Sequence, residues 1–396
     1  MTPLPPLYLN PQAERRLRAG HVWIYSNEID TARSPLKQFE PGQQVQVHAA
    51  GGKPLGIAYI NPHTLICARL ISRDHPLDKS LLVHRLNIAL AGRERFFPEP
   101  YYRLVYGDSD NLPGLVVDRF GDYLVVQINT AGMERVRDDI VTALAQVLKP
   151  KGILLKNDSR VRAAEGLAEY VEVVHGEVPE EVELVENGCR FLAPLHSGQK
   201  TGWFYDHRSA RARLAPYARG RRVLDVFCYL GGWGIQAAGA GASEVVLVDS
   251  SATALELSRR NAGLNGVGER VSTLEGSAFD VLKELHEAGE RFDTIVLDPP
   301  AFIPRRKDAK AGEQAYRRIN ELAMRLLSRD GLLVSASCSL HLAREQLVDL
   351  LRAGSRHLDR QLQVLEQHGL GPDHPVHPAI PETDYLKSVF CRVLAP

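Results

Sequence analysis

Cysteine is scarce in this chain: five in 396 residues, at positions 67, 189, 228, 338 and 391. They are scattered, odd in number and nowhere in CxxC spacing, which argues against a disulfide framework or a zinc site and for a reducing compartment. Neither sign of charge prevails, since 48 Lys and Arg balance 48 Asp and Glu. No global field therefore draws the chain to nucleic acid, and such a partner would need local basic patches. No apolar run reaches the length of a membrane span, and MTPLPPLYLNPQAERRL at the start lacks the apolar core of a signal peptide. A cytoplasmic protein without membrane contact is the expectation. Internal repeats and low-complexity tracts are missing as well. What remains is an ordinary globular composition, at a length that calls for roughly two or three domains.

The first 75 or so residues hold short alternating runs, GHVWIYSNEI, GQQVQVHAAGGKPLGIAYI and TLICARLI, broken by Gly, Pro and Asn. They predict a small β-barrel-like module over residues 1–75. Arg15, Arg16 and Arg18 precede Trp23 and Tyr25, a pairing that suits RNA, although such clusters are more often solvated faces. From about residue 77, LDKSLLVHRLNIALAGRERFF has helical periodicity. Paired strands follow, with turns at Asp110–Gly114 and Gly121-Asp122, then a helix over GMERVRDDIVTALAQVL and further strands. Residues 76–193 thus read as a second, α+β domain. From about 221, RVLDVF, EVVLVD, VSTLEG, DTIVLD and LLVSAS alternate with helical stretches, which implies a parallel, doubly wound α/β sheet. LQVLEQ and SVFCRVL come without a full helix between them, so the last strand is expected to run antiparallel.

Polar residues gather where these strands end. VLDVFCYLGGWG closes the first, and Gly231 and Gly232 open the next helix, where missing Cβ atoms let backbone approach a ligand. This is not GxGxxG, so a dinucleotide pyrophosphate is poorly supported. The second strand ends in Asp249, where Rossmann-like folds place an acid on ribose hydroxyls. EGSAF (275–279) follows the third strand, and the fourth stops at Asp298-Pro299-Pro300-Ala301-Phe302. Two prolines there forbid continuation of the ladder and stiffen an extended edge, at the sheet end where ligands bind. Jointly these ends favour a nucleoside without a phosphate chain, and S-adenosylmethionine is such a ligand.

The order LDVFCYLGGWG, LVDSS, NAGLNG, DTIVLDPPAF, SASCSLHL resembles class I S-adenosylmethionine-dependent methyltransferases. More closely, the chain is similar to the bacterial 23S ribosomal RNA cytosine-5 methyltransferase family with an N-terminal PUA domain. The likeness spans nearly the whole chain: GHVWIYSNEI resembles the PUA module, while GDSDNLPGLVVDRFGDYLVVQ and KNDSRVRAAEGL resemble the middle domain. SGQKTGWFYDHR (197–208) resembles the lead into the catalytic domain, and DHPVHPAIPETDYLK its C-terminal loop. The resemblance implies a seven-stranded Rossmann-like sheet with its last strand antiparallel, over a methyltransferase domain of residues 194–396. It implies cofactor contacts at Asp225, Tyr229 and Gly231, with Asp249 and Ser250 on the ribose side. Lys200, Thr201, Tyr205 and Asp206 would close over the methionine end. Ser277 and Ala278 would face the adenine, although the family commonly has an acid where this chain has Ser277.

Carbon 5 of cytosine is a poor nucleophile, and the usual solution is a thiolate that adds at carbon 6. Cys338, after the fifth strand, fits that role, with Asp298 bonded to the base edge, Pro299 and Pro300 as a rigid wall and Phe302 stacked on a base swung out of its helix. A buried cysteine is otherwise a small hydrophobe, the reading given to Cys228, Cys67, Cys189 and Cys391. Ala301 stands where some RNA cytosine-5 methyltransferases carry a second cysteine, which the resembled family also lacks, so the base that takes the carbon-5 proton stays open. In IPRRKDAKAG (303–312), Arg305 and Arg306 are expected to meet phosphates, or to be a solvated loop. His368, Asp373, His374 and His377 read as a rigid, substrate-facing loop, and no metal is expected. Partners would be 23S ribosomal RNA or a large-subunit precursor, with the oligomeric state open and a homodimer among the options. Two rival functions remain: a guanine-N7 or other base methyltransferase of ribosomal RNA without a covalent step, and a non-catalytic RNA-binding module with a vestigial methyltransferase domain.

Overall fold

Alternation in Gln43–His48 buries Val45 and Val47 and turns their neighbours outward, the period-two pattern of a half-buried strand. The structure, a computed structural model, describes residues 3–395. It divides into two compact units, the first made of the residues up to Val182 together with Pro194–Tyr205 and Pro372–Thr383, the second of Glu183–Ala193, Asp206–Gly371 and the residues from Asp384 onward.

In the first unit, Gln43–His48 belongs to a five-stranded sheet with Pro6–Tyr8, Pro54–Ile60, Ile66–Ser72 and Trp23–Tyr25. Leu7, Ile24, Val45, Ala58, Ile60 and Ala68 fill its core. Arg16 is tied down here, donating to the Trp23 carbonyl and to Glu28 and lying over the Tyr25 ring. A second five-stranded sheet runs Tyr170–Gly176, Gly152–Asn157, Tyr123–Ile128, Leu115–Phe120, Tyr101–Tyr106. The helices Lys79–Glu94 and Arg137–Leu148 bring Leu82, Leu86, Ile140 and Leu144 into one core with Val117, Val126 and Leu155. The helix expected over residues 132–148 is two, Ala131–Arg135 and Arg137–Leu148, parted at Val136 with φ −107° and ψ 22°. Gly132 is required in the first piece, because a Cβ there would stand 2.0 Å from the Tyr59 ring. Arg93 forks onto Asp110 at 2.6 and 2.7 Å and donates to the Asp373 carbonyl at 3.0 Å, which anchors the segment Pro372–Thr383 in this unit.

The second unit is built on seven strands: β1 (Arg222–Val226), β2 (Glu244–Asp249), β3 (Val271–Glu275), β4 (Phe292–Leu297), β5 (Leu327–Ser337), β6 (Gln361–His368) and β7 (Lys387–Leu394). Their order is β3-β2-β1-β4-β5-β7-β6. Strands β1 to β5 are parallel, and β7 runs antiparallel to both β5 and β6, as the sequence led us to expect. The helices are α1 (Arg208–Ala218), α2 (Gly232–Gly239), α3 (Ala252–Leu264), α4 (Ala278–Glu287), α5 (Ala309–Leu326) and α6 (Arg344–His357). Buried Tyr316, Ile319, Ala323 and Met324 of α5 recur at helical spacing and pack against Ile295, Leu297 and Leu333. Register pairs Val226 with Val248 and Leu297, and Leu297 with Ser335. The residues that follow therefore emerge level at one edge, and the chain's winding reverses between β1 and β4, where such sheets hold ligands. Segment 303–312 differs from the loop expected of it. After a single turn at Arg306–Asp308 it is already α5, and Gly312 inside that helix leaves room for Ile303, which a Cβ would meet at 2.3 Å.

Candidate active site

Between β1 and α2 the backbone is left-handed three times, at Phe227 (φ 65°), Tyr229 (φ 49°) and Gly231 (φ 81°), a loop shape that ordinary side chains resist. Asp225 braces it from below. Its buried Oδ2 accepts from Gly234 N–H at 2.8 Å, tying the first turn of α2 to β1. Burial pushes the Asp225 carboxyl up to about 7, against the Gly234 N–H, and the Asp298 charge adds to the rise. At the end of β2, Asp249 accepts from Tyr229 N–H at 2.9 Å and from Ser251 N–H at 3.0 Å. Each carboxylate oxygen keeps a further lone pair for a ligand hydroxyl. One cleft gathers Asp249 and Ser250 with Ser277 and Ala278, walled by Phe227, Val248 and Phe279. Ser277 leads α4 without a side-chain cap bond to its own helix. Apolar walls, one carboxylate and no lining Lys or Arg suit a nucleoside and not a phosphate chain. Four of these residues are expected from the sequence; the two phenylalanine walls are not, though both stand in stretches quoted above.

Lys200, Thr201 and Tyr205 fall in the first unit. There Thr201 Oγ1 donates to Asp118 Oδ2 at 2.6 Å, Tyr205 OH donates to the Arg119 carbonyl at 2.9 Å, and Lys200 Nζ lies 4.9 Å from the centre of the Phe204 ring. Asp206 belongs to the second unit and accepts from Tyr385 OH at 2.6 Å.

Asp298, directly after β4, is held at both carboxylate oxygens. His207 Nε2 lies 2.9 Å from its Oδ1, and Trp233 Nε1 donates to its Oδ2 at 3.1 Å. The His207 and Trp233 rings lie 5.4 Å apart. Burial alone would raise the Asp298 carboxyl. The charge and hydrogen bond of His207, the Trp233 indole and Arg211 outweigh it and hold the group below the ordinary carboxylate range. For His207 burial pulls down, and Asp298 more than restores it, so the imidazole sits above its ordinary value. Each member of the pair thus favours the charged form of the other. Neither His207 nor Trp233 is singled out from sequence, although His207 is the next-to-last residue of the stretch SGQKTGWFYDHR and Trp233 follows the glycine pair.

Pro299 is buried and Pro300 exposed. Phe302 is half-buried, its ring 4.9 Å from Tyr316, 6.1 Å from Phe279 and 6.3 Å from Phe227. Arg305 and Arg306 are exposed, and Arg305 Nε pairs with Asp308 at 2.9 Å. Cys338 follows β5, half-buried, with Sγ 3.9 Å from the Pro299 carbonyl oxygen. A hydroxyl network fixes its turn: Ser339 N–H donates to Ser337 Oγ at 3.1 Å, Ser337 Oγ to Tyr316 OH at 2.9 Å, and Tyr316 OH meets Ser339 Oγ at 2.8 Å. Ile303 N–H donates to the same Ser339 Oγ at 3.2 Å, linking the proline-bearing strand end to the cysteine turn. Cys228, Cys67 and Cys391 are buried, and Cys189 is half-buried. His368 pairs with Glu366 at 2.8 Å in the second unit and His374 with Asp373 at 3.0 Å in the first. Among the described residues no three His, Cys, Asp or Glu cluster so as to hold a metal, and no helix is long and apolar enough to cross a membrane.

Residues 114–379 match the family model of S-adenosylmethionine-dependent methyltransferases, and residues 7–73 that of a PUA-like domain. Ribosomal RNA large subunit methyltransferase I of Tolumonas auensis is 36% identical over 98% of this chain and 99% of its own. The protein of the same name from Erwinia tasmaniensis is also 36% identical, over 98% and 99%. Among solved structures, the protein SMU.776 complexed with SAH shares the fold with a TM-score of 0.84 at 23% identity, covering 98% of this chain and all, 100%, of that one. Fold, cleft and matches together define an S-adenosylmethionine-dependent methyltransferase with a PUA-like domain ahead of it. Within that class the chain belongs to the family of the ribosomal RNA large subunit methyltransferase I proteins.

Proposed function

We propose that this enzyme methylates carbon 5 of a cytosine in 23S ribosomal RNA, free or in a large-subunit precursor, with Cys338 as nucleophile. Such a substrate places it in the cytoplasm. The RNA assignment draws on the names of the relatives. The carbon-5 assignment draws on one observation above all: the Cys338 thiol lies against the backbone of Pro299, the residue next to Asp298.

S-adenosylmethionine, when bound in the cleft of Phe227, Asp249, Ser277 and Phe279, supplies the methyl group as an activated sulfonium. Asp249 holds the ribose hydroxyls and the phenylalanines flank the adenine, with Asp225 and Gly231 keeping the loop in shape. Lys200, Thr201, Tyr205 and Asp206 are assigned to the methionine end by family resemblance. The Cys338 thiolate adds to carbon 6 of the cytosine as N3 takes a proton, and carbon 5 becomes enamine-like. Asp298 accepts hydrogen bonds from the exocyclic amine and from N3–H, and the imidazolium of His207 behind it is the source of that proton. Carbon 5 takes the methyl, its own hydrogen leaves as a proton to water, the carbon 6–sulfur bond breaks to restore the thiolate, and N3–H returns its proton through Asp298 to His207. Pro299 and Pro300 form a rigid wall, Phe302 completes an aromatic side, and Arg305 and Arg306 face the phosphates.

Nucleoside mass spectrometry of 23S RNA treated with the wild type and with Cys338→Ser tests this reading. 5-Methylcytidine formed by the wild type and lost by several orders of magnitude in the variant is the expected result. Methylation of a guanine nitrogen that survives Cys338→Ser would establish the rival chemistry, and absence of S-adenosylmethionine binding in calorimetry would establish a non-catalytic module.

A further inference from the structure

We infer that Lys387 is a positioning residue for Cys338: it clamps the turn that carries the thiol, and its ammonium favours the thiolate. The inference rests on the reading of Cys338 as nucleophile. Lys387 opens β7, whose antiparallel register sets it opposite Ser337, the residue before the cysteine. Its side chain is buried, only 5% exposed, and a buried ammonium must find partners. It finds two carbonyls of the cysteine turn, donating from Nζ to Ser339 O at 2.7 Å and to Leu342 O. These bonds bracket Cys338 from its C-terminal side, while Ser337 and Tyr316 brace the other.

Neutral carbonyls satisfy the hydrogen bonds but leave the charge uncompensated. Burial pulls Lys387 down and a thiolate at Cys338 pushes it back up, with Arg344 adding to the fall and Asp384 opposing it, so that it stands lowered to about 8. The effect of the thiolate has a necessary counterpart. If a thiolate favours the proton on Lys387, the protonated Lys387 favours the thiolate at Cys338, because the coupling between two titrating sites is mutual. Tyr316, whose OH joins the serines flanking the cysteine, also faces the thiol and is disfavoured as an anion by it. A cation bonded to the carbonyl of the residue after the cysteine serves both steps of a covalent cycle, raising the thiolate fraction before addition and stabilising the departing thiolate at elimination.

The rate of alkylation of Cys338 by iodoacetamide in the full-length protein, followed against pH by peptide mass spectrometry, tests the coupling without RNA. In Lys387→Gln the midpoint should rise by about one pH unit, slowing alkylation near neutrality about tenfold, while Lys387→Arg returns it toward the wild type. The kcat of Lys387→Gln should fall with the KM for RNA little changed. Should Lys387→Gln not fold, Lys-selective carbon-13 NMR of the wild type and of Cys338→Ser reads the same coupling from the other side, and the Lys387 midpoint should drop in the serine variant. An alkylation midpoint unmoved in folded Lys387→Gln, or a Lys387 midpoint unmoved by Cys338→Ser, overturns the inference. Full methylation by Cys338→Ser would instead overturn the nucleophile assignment and leave the measured coupling standing.

Discussion

His207 Nε2 stands 2.9 Å from Asp298 Oδ1, so the carboxylate that ends β4 has a buried imidazole for its partner. The pair sets a pH window. The Asp298 carboxyl is held low, so its contribution to stability is complete above its unfolded value and is lost as pH falls through the lowered folded value. His207 is held high, so its contribution is complete below its unfolded value near 6.5 and is lost as pH rises through the raised folded value. Activity should fall on the same two limbs. His207→Gln should abolish the alkaline limb, move the acid limb upward and cost about 2 kcal/mol in urea unfolding, since Asp298 keeps hydrogen bonds but loses its charge partner. A pH–kcat profile identical to the wild type would contradict this role.

Asp249 joins two loops before any ligand arrives, through Tyr229 and Ser251 N–H. Asp249→Ala should therefore weaken S-adenosylmethionine binding about 100-fold, as expected for about 3 kcal/mol from lost bonds to a charged acceptor. It should also lower Tm by a few degrees. Calorimetry and thermal unfolding measure the two losses separately.

Tyr316 lies buried in α5 and touches no proposed ligand, yet its hydroxyl joins Ser337 to Ser339 around Cys338. Tyr316→Phe removes one oxygen and leaves both serines short of a partner. The expected outcome is a kcat about tenfold lower, from about 1.4 kcal/mol of lost positioning. Calorimetric affinity for S-adenosylmethionine should be unchanged, because the cleft of Asp249 and Ser277 does not include Tyr316.

Much of this arrangement is readable in the sequence because parallel strands bring their ends level. Asp249, Ser250, Ser277 and Ala278 each stand at or just past a strand end, and one rule about sheet edges places them around one cleft. The reversed β7 is readable from the missing helix before it. His207, Trp233 and Lys387 are not, since each acts on an acid or a thiol remote in the chain and none stands in a pattern with a spacing to recognise. Residues 309–312 belong to α5 and not to the loop expected over 303–312 for a different reason: charge and a glycine resemble a loop, but the packing of Gly312 against Ile303 lets α5 begin early. The break at Val136 has no local breaker residue, and nothing in the structure explains it.

The covalent step is the centre of the account, and a substrate that cannot complete the cycle tests it most directly. In 23S RNA carrying 5-fluorocytidine, the fluorine cannot leave as a proton does, so the base should stay bonded to the enzyme. Incubated with S-adenosylmethionine, the wild type should yield a denaturation-resistant adduct that peptide mass spectrometry places on Cys338, and Cys338→Ser should yield none. Turnover of normal RNA with no adduct on the fluorinated substrate, or an adduct on another residue, would contradict the account.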